Sequence, residues 1–422
     1  MGAPPPPTND ETVVVHPGKS PGDPTVITVN CPDQIGLGSA LTGVIFDFGL
    51  SVIRGDLSTD GRWCFLVFWV LPRIGSSRPV RWSLIKKRLA AVCPSADTHL
   101  FSPVRNEPKP KKLFLLLVCS PDRSGLLHDM SQTLWELELN IHKVKVSTRP
   151  DGKAEDLFLV TDNRDMLPAK NRIANVCQCV KAVLVGPKAH CELREAGPEY
   201  GDLSCTTTSY LSPLVVNCLF KDERREAPLE EDSQSEDVWR VKATLDNMLS
   251  PAHTLVQIIC KDRKGLLYDS LRTLKDFNLK VAYGRFSIND KGNGEIDIFV
   301  TQAGGRKLID PEKQKALCSR LQKEIRSPFY LGVVMRGPDT ELLVAAPIDS
   351  SGRGRPRVLY DVTLALKTLS ICIFQADIGK YIFDERQWEV YRFLLSDVAD
   401  SISTTSRIQN LIADRVRSVL IG

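Results

Sequence analysis

The residues of this chain best suited to chemistry lie in two near-identical segments. They are Asp122-Arg123-Ser124-Gly125-Leu126-Leu127 and Asp262-Arg263-Lys264-Gly265-Leu266-Leu267. Each follows an apolar run, Leu113 to Val118 in one case and Leu255 to Ile259 in the other, and each opens an apolar pattern of helical period. The spacing predicts a strand, a glycine bend and a helix. At such a bend the first backbone N–H groups of the helix lack helical partners and the dipole end is positive, so a small carboxylate fits there. Glycine permits a positive φ and lets a ligand approach the backbone. An aspartate beside that receptor can pair with an ammonium group. Together these groups suit a free amino acid. They equally suit an ordinary loop in which glycine turns the chain and aspartate caps the helix. Repetition alone does not choose between the two.

The elements that must position these loops repeat as well. In the copy around Gly125, Leu127, Met130, Leu134 and Leu137 form one helical face, and Val144 and Val146 alternate with lysines as a strand with one wet face. Asp151-Gly152 turns the chain into a strand at Leu157 to Val160. Ile173, Val176, Cys177 and Val180 mark a second helix, and a short strand near His190 to Leu193 ends the unit. The copy around Gly265 matches with a helix face at Leu267, Leu271, Leu274 and Phe277, a turn at Lys291 to Gly294, and a second helix from Asp310 with Pro311 in its first turn. A strand from Phe329 to Met335 is expected to close it.

An earlier, weaker copy carries Asp33-Gln34-Ile35-Gly36-Leu37, a helix face at Leu37, Leu41, Val44 and Phe48, and a second helix near 82–92. A last copy has its loop enlarged to Asp349-Ser350-Ser351-Gly352-Arg353-Gly354-Arg355-Pro356-Arg357. Val358-Leu359-Tyr360-Asp361 follows, matching Leu266-Leu267-Tyr268-Asp269. Its final helix has Ile408, Leu411, Ile412, Val416 and Val419, and its closing strand is absent or supplied by another unit. Strand-helix-strand-strand-helix-strand, four times, predicts an α+β fold of four ferredoxin-like βαββαβ domains in tandem, arranged as two pairs.

The expected domains are 24–105, 112–196, 252–338 and 340–421, the last with a degenerate loop. A disordered start covers 1–23, and 197–250 is a linker, acidic in part. Units this small bury a modest fraction of their surface and gain from a neighbour. The shorter spacing from Gly36 to Gly125, against that from Gly125 to Gly265, makes copies one and two, and copies three and four, the expected pairs. The run Glu230-Glu231-Asp232-Ser233-Gln234-Ser235-Glu236-Asp237 reads as disordered spacer.

Composition narrows the function. Of 422 residues, 42% are hydrophobic and 25% charged, as in ordinary globular proteins. A net charge of +4 from 55 basic and 51 acidic residues gives no argument for nucleic acid or membrane. No apolar run approaches the roughly 18 residues needed to span a bilayer. The proline tract Met1 to Thr8 is neither a signal nor a transit peptide. Twelve cysteines, scattered singly with no CxxC pair, suit a reduced intracellular chain, so the cytoplasm is expected, with the nucleus open.

The unit resembles the ACT domain, a small-ligand regulatory module, and the four-copy arrangement resembles the plant ACT domain repeat proteins. The residues that carry the resemblance are the loops at Asp122 to Leu127, Asp262 to Leu267 and Asp33 to Leu37, and it covers about 24 to 421. The resemblance implies that ACT domains pair within the chain and that free amino acids bind at the pair interface, against the loop between first strand and first helix. It thereby implicates Asp122, Arg123, Ser124, Gly125, Leu126, Leu127, Asp262, Arg263, Lys264, Gly265, Leu266, Leu267, Asp33, Gln34, Ile35 and Gly36. Similar repeats end bacterial uridylyltransferases that sense nitrogen status. Copy four departs by placing Arg357 where the glycine belongs, and copy one by placing Gly38 where the others have leucine.

The expected function is therefore a non-catalytic amino-acid-binding regulator of amino-acid or nitrogen metabolism that acts on a protein partner such as a regulated enzyme. No catalytic residues and no cofactor are expected, since no nucleophile elbow, P-loop or HExxH occurs. No metal is expected either: Cys177 and Cys179 sit i, i+2 on a helix and face apart from each other, with His190 and Cys191 nearby. An interaction scaffold without a ligand remains open. So does RNA binding, through the aromatic strand Arg62 to Phe68 in a topology shared with RRM domains.

Overall fold

The computed structural model describes residues 12–20, 22–73, 80–95, 112–184, 186, 189–197, 200, 209–220, 241–337, 339–395 and 402–422. The proline-rich start and the acidic run Glu230 to Asp237 lie outside these residues. Copy one comprises β1 (Val13–His16), β2 (Thr25–Pro32), α1 (Leu37–Asp47), β3 (Leu50–Thr59), β4 (Trp63–Pro72) and α2 (Trp82–Val92). Copy two comprises β5 (Phe114–Pro121), α3 (Leu126–Glu136), β6 (Leu139–Thr148), β7 (Lys153–Asp162), α4 (Lys170–Val183) and β8 (His190–Glu195). A short β9 (Ser209–Tyr210) and α5 (Pro213–Leu219) follow. Copy three is β10 (Lys242–Asp246), β11 (Thr254–Lys261), α6 (Leu266–Asp276), β12 (Leu279–Ile288), β13 (Asn293–Gln302) and α7 (Pro311–Arg326). Copy four is β14 (Tyr330–Arg336), β15 (Asp339–Pro347), α8 (Val358–Thr368), β16 (Ile373–Phe383), β17 (Arg386–Leu395) and α9 (Ile402–Ile421). The fold is α+β, built of tandem ferredoxin-like modules.

Copies one and three form one compact unit, and copies two and four another. This overturns the expected pairing of sequence neighbours. In the first unit the sheet runs β1-β2-β4-β3-β12-β13-β11-β10, with the join at β3 and β12, where Leu57 lies opposite Gly284 and Gly55 opposite Phe286. In the second it runs β14-β15-β17-β16-β6-β7-β5-β8, joined where Ala376 meets Val146. Both joins are antiparallel. In every module the strand after the first helix has its hairpin partner on one side only, so its other edge is open, and an open edge invites pairing. Sequence distance hardly opposes the chosen partner, because loop-closure cost grows only logarithmically with loop length. Complementarity decides instead.

The first unit shows that complementarity in its glycines. A Cβ on Gly38 of α1 would lie 3.3 Å from Leu271 of α6, and one on Gly284 of β12 would lie 3.5 Å from Leu57 of β3. Gly38 thus lets copy three's Leu271 come close, while the approach of Leu57 to Gly284 is an ordinary contact. In the second unit the helices meet differently. His128 of α3 is paired with the Thr363 hydroxyl of α8 at 3.2 Å, and its ring packs against Tyr360 at 4.7 Å. Each unit has one apolar core continuous across its two copies. One runs through Ile27, Leu41, Phe68, Leu271, Ile298 and Leu321, and the other through Leu116, Met130, Phe158, Val344, Val362 and Val416.

Further expectations change at the edges. The strand at Phe329 to Met335, expected to close copy three, is β14, which hydrogen-bonds to β15 of copy four and provides that copy's missing strand. Copy three takes its edge from β10, in residues expected to be linker. The fourth strand therefore precedes the common βαββα body in copies one, three and four and follows it in copy two. The linker also contributes α5, whose Val215, Val216 and Leu219, with Phe220, pack under Trp388, Leu343 and Val390 on the helix-free face of the second sheet. Leu411, expected on the apolar face of α9, is 55% exposed; Ile412, Val416 and Leu420 face the core.

Gly38→Leu, which restores the residue type of the other copies, should destabilise the first unit by about 1–2 kcal/mol. The overpacking penalty exceeds the gain in helix propensity. Chemical denaturation of the full chain should show the transition of that unit moving to lower denaturant, and an unchanged or higher midpoint would refute the close-approach role.

Candidate functional site

The glycine loops adopt the backbone that their sequence implies. Gly36, Gly125 and Gly265 precede their helices with φ of 83°, 77° and 77°. Arg357 of copy four holds the same left-handed conformation at φ 67°, where a side chain is disfavoured. Its guanidinium stacks over Tyr360 at 4.3 Å and lies 3.5 Å from Asp361. Copy four has therefore kept the bend and replaced the open glycine with a bulky cation.

The loop aspartates do not cap their helices, and no side chain caps α1, α3 or α6. Asp33 accepts a hydrogen bond from the Thr59 hydroxyl at 2.8 Å and pairs with Lys280 of copy three at 3.0 Å. Asp122 accepts from Thr148 at 2.7 Å. Ile288 occupies the matching position in copy three. Burial pushes the Asp262 carboxyl above its usual range, against the opposing pull of the Arg263 N–H and of Arg73. The arginines tie the loops to the helices. Arg263 pairs with Asp269 at 2.7 Å and donates to the Ile325 carbonyl at the end of α7. Arg123 likewise pairs with Asp129 at 2.6 Å and donates to the Val183 carbonyl at the end of α4. Copy one has Gln34 and Ala40 in place of this pair.

Each of these three loops borders a cavity that the paired copy completes. At copy one, Asp33, Gln34 and Gly36 meet Leu271 and Lys275 of copy three around about 40 Å³. At copy three, Asp262, Arg263, Gly265, Leu266 and Leu267 meet Phe46, Ser51 and Arg73 of copy one around about 30 Å³. At copy two, Asp122, Arg123, Gly125, Leu126 and Leu127 line about 10 Å³ with Asp156 and with Ile373 of copy four. The third loop residue stands outside the lining in all three cases. Ile35 and Ser124 are partly exposed beside it, and Lys264 is buried, its ammonium 5.9 Å from the Phe46 ring.

Three contributors were not singled out in the sequence. Lys275 and Lys367 occupy equivalent last-turn positions of α6 and α8 and lie over the loop glycines of copies one and two. A Cβ on Gly36 or on Gly125 would sit 2.8 Å from the lysine Cδ, so a side chain there would displace the lysine. Lys367 also pairs with Asp129 at 2.6 Å. Burial raises the Asp129 carboxyl, but Lys367 and Arg123 outweigh it and hold it below the usual carboxylate range. The matching helix positions of copies one and two are Phe46 and Trp135. Aligning the four helices would have exposed this lysine-or-aromatic split, but not which loop each residue covers.

The third is Asp156 on β7, 2% exposed. Burial and the charge of Asp122 push its carboxyl up to about 7. His128 goes the other way: burial, then Lys367, lowers it to about 4, so it is neutral at physiological pH and serves the helix contact. Among the described residues no group of three or more His, Cys, Asp and Glu side chains is placed to hold a metal ion. No helix among them is long and apolar enough to cross a membrane. On the helix-free face of the first sheet, Phe65 is 51% exposed and Arg54 lies over Trp69 at 4.5 Å.

Asp156 generates a pH prediction. The folded carboxyl holds its proton more tightly than the unfolded one, about 7 against 3.8, so it withdraws stability as pH rises from about 4 through 7. Asp156→Leu should therefore stabilise the second unit at pH 8, by up to about 4 kcal/mol, and have far less effect at pH 4. Denaturation at the two pH values checks this, and an equal effect at both would contradict the raised carboxyl.

Comparison with known proteins agrees with this architecture. Residues 242–339 match the family model described as ACR9-like, ACT-like domain. Residues 340–422 match that of ACT domain-containing protein ACR9, C-terminal, and residues 15–94 that of ACT domain-containing protein ACR10, N-terminal. ACT domain-containing protein ACR9 of Arabidopsis thaliana is 48% identical over 98% of this chain and 99% of its own length. ACT domain-containing protein ACR10 of the same plant is 42% identical over 92% and 93%. A bifunctional uridylyltransferase/uridylyl-removing enzyme of Rhodospirillum rubrum is 26% identical over 50% of this chain but only 19% of its own. Identity of this order along nearly the whole of both chains, on paired modules with matching loops, means that the chain belongs to the plant ACT domain repeat proteins.

Proposed function

We propose that this chain is a non-catalytic regulator of amino-acid or nitrogen metabolism that binds free amino acids and passes their abundance to a protein partner. The observation that carries the reading is the shared cavity. Every loop of glycine type faces the first-helix end or second strand of the paired copy, so a molecule bound there touches both modules. The backbone at the helix start suits its carboxylate and the loop aspartate suits its ammonium group. The cavities as they stand have room for one to a few waters. An amino acid is larger, so its entry requires loop and neighbouring helix to part. Binding energy is then coupled to module geometry, which is the differential interaction that a regulator needs. The bacterial uridylyltransferase/uridylyl-removing enzymes match this chain over only 19% of their own length.

Thermal shift and calorimetry of the full chain with each of the free amino acids tests the reading. At least one should bind and raise the melting temperature. Gly125→Ala and Gly265→Ala should each weaken binding at their own loop about tenfold or more, at a stability cost near 1 kcal/mol for a side chain at positive φ. A folded chain that binds none of them would replace this reading with that of a scaffold.

A further inference from the structure

Asp156 stands at a position that the other copies fill with apolar or paired groups. Opposite the equivalent residues of the first strand, copy one has Leu66, copy three Ile296 and copy four Tyr391. Tyr391 donates to Glu389 and so carries its own partner. Asp156 lies between Val118 of β5 and Val146 of β6, and its Oδ1 meets no hydrogen-bond partner among the described residues. Leu126 and Leu127 of α3 and Ile373 of copy four complete its surroundings, so the cavity at the copy-two loop ends on this carboxyl.

The charges facing that cavity do not balance. Asp122, at its rim, is the one other carboxylate that acts on Asp156. Arg123 is committed to Asp129 and to the Val183 carbonyl, and Lys367 to Asp129. The lining thus carries two acids against one cation, Arg123, whose Nη2 is held by Asp129 and the Val183 carbonyl and whose Nε has no hydrogen-bond partner among the described residues. Burying an unpartnered carboxyl costs stability, and a leucine would serve the core better, as Leu66 does in copy one. A buried carboxyl of this kind at the end of a cavity marks a candidate ligand site. The space in front of it is about 10 Å³, room for one water.

We propose that Asp156 is the specificity-determining residue of the copy-two site and receives a side-chain ammonium group of the bound amino acid. The copy-two site then takes an amino acid with a second amine, while the sites at copies one and three, with Leu66 and Ile296, take none on this account. The inference rests on the amino-acid-binding reading above and adds the ligand class. It also implies proton release. The ammonium needs the carboxylate form, and the carboxyl titrates near 7 in the folded chain, so affinity rises with pH through that region.

The test is calorimetry of the full chain at pH 6 and pH 8 with L-lysine, L-ornithine and L-norleucine, the last being lysine without its ammonium. The wild-type chain should bind at least one of the two diamino acids, about tenfold tighter at pH 8 than at pH 6 for a group titrating near 7, with a proton released. Norleucine should show no such dependence. Asp156→Leu should lose the diamino acid by more than tenfold, and Asp156→Asn should abolish the pH dependence, both with cooperative unfolding intact. Gly125→Ala should weaken the same binding, which assigns it to copy two. Diamino-acid binding that is independent of pH, or unchanged in Asp156→Leu, overturns the proposal. So does norleucine binding that is lost in Gly125→Ala and kept in Asp156→Leu, but that outcome leaves the amino-acid site standing. Absence of binding by every amino acid overturns both.

Discussion

The three loop cavities depend on the joining of open sheet edges. Each module leaves unpaired one side of the strand after its first helix. The pairing of β3 with β12, and of β16 with β6, satisfies backbone groups that would otherwise face water or another chain. The same joins bring α1 against α6 and α3 against α8 and place each glycine loop beside the end of a neighbour's helix. Without the join a loop would be half a site. With it, the cavities become properties of the pair.

The four loops are of unequal quality, and the pairing distributes that inequality. Copy three, with an intact loop, is joined to copy one, whose loop lacks the arginine–aspartate tie. Copy two, also intact, is joined to copy four, whose left-handed residue is Arg357 rather than glycine. Each unit thus combines an intact loop with an altered one. The altered copies are not idle: copy four's Lys367 covers Gly125 of copy two, and Gly38 of copy one makes room for Leu271 of copy three. Gly38, an erosion of the motif when read along the chain, is an adaptation when read across the join.

The buried polar groups divide by the same logic. Arg263 and Asp269, and Arg272 Nη2 and Glu324, are deeply buried ion pairs that tie a loop to two helices of copy three. His128 is neutral and hydrogen-bonded to Thr363. Such paired groups stabilise a single geometry. Asp156 Oδ1 has no hydrogen-bond partner among the described residues, so its presence weighs against stability at neutral pH, where a leucine would not. That contrast sets Asp156 apart from the Arg263–Asp269 and His128–Thr363 pairs.

The repeat, its element order and the glycine bends were legible in the sequence because they are local. A strand alternates with period two, a helix with period 3.6, and an Asp-Arg-x-Gly-Leu-Leu segment between them repeats its own geometry. The loop residues from Asp122, Asp262 and Asp33 were legible for the same reason, and the structure brings most of each set to the edge of a cavity. The choice of partner was not legible. Sequence distance favoured neighbours, whereas complementarity of edges and helix faces joined copy one to copy three and copy two to copy four, and loop length opposes such a choice only weakly. For the same reason β14 left copy three for copy four, and Lys275 and Lys367 could not be assigned to a loop in advance. What lies within one module was written in its own residues; what lies between modules was decided only when two surfaces met.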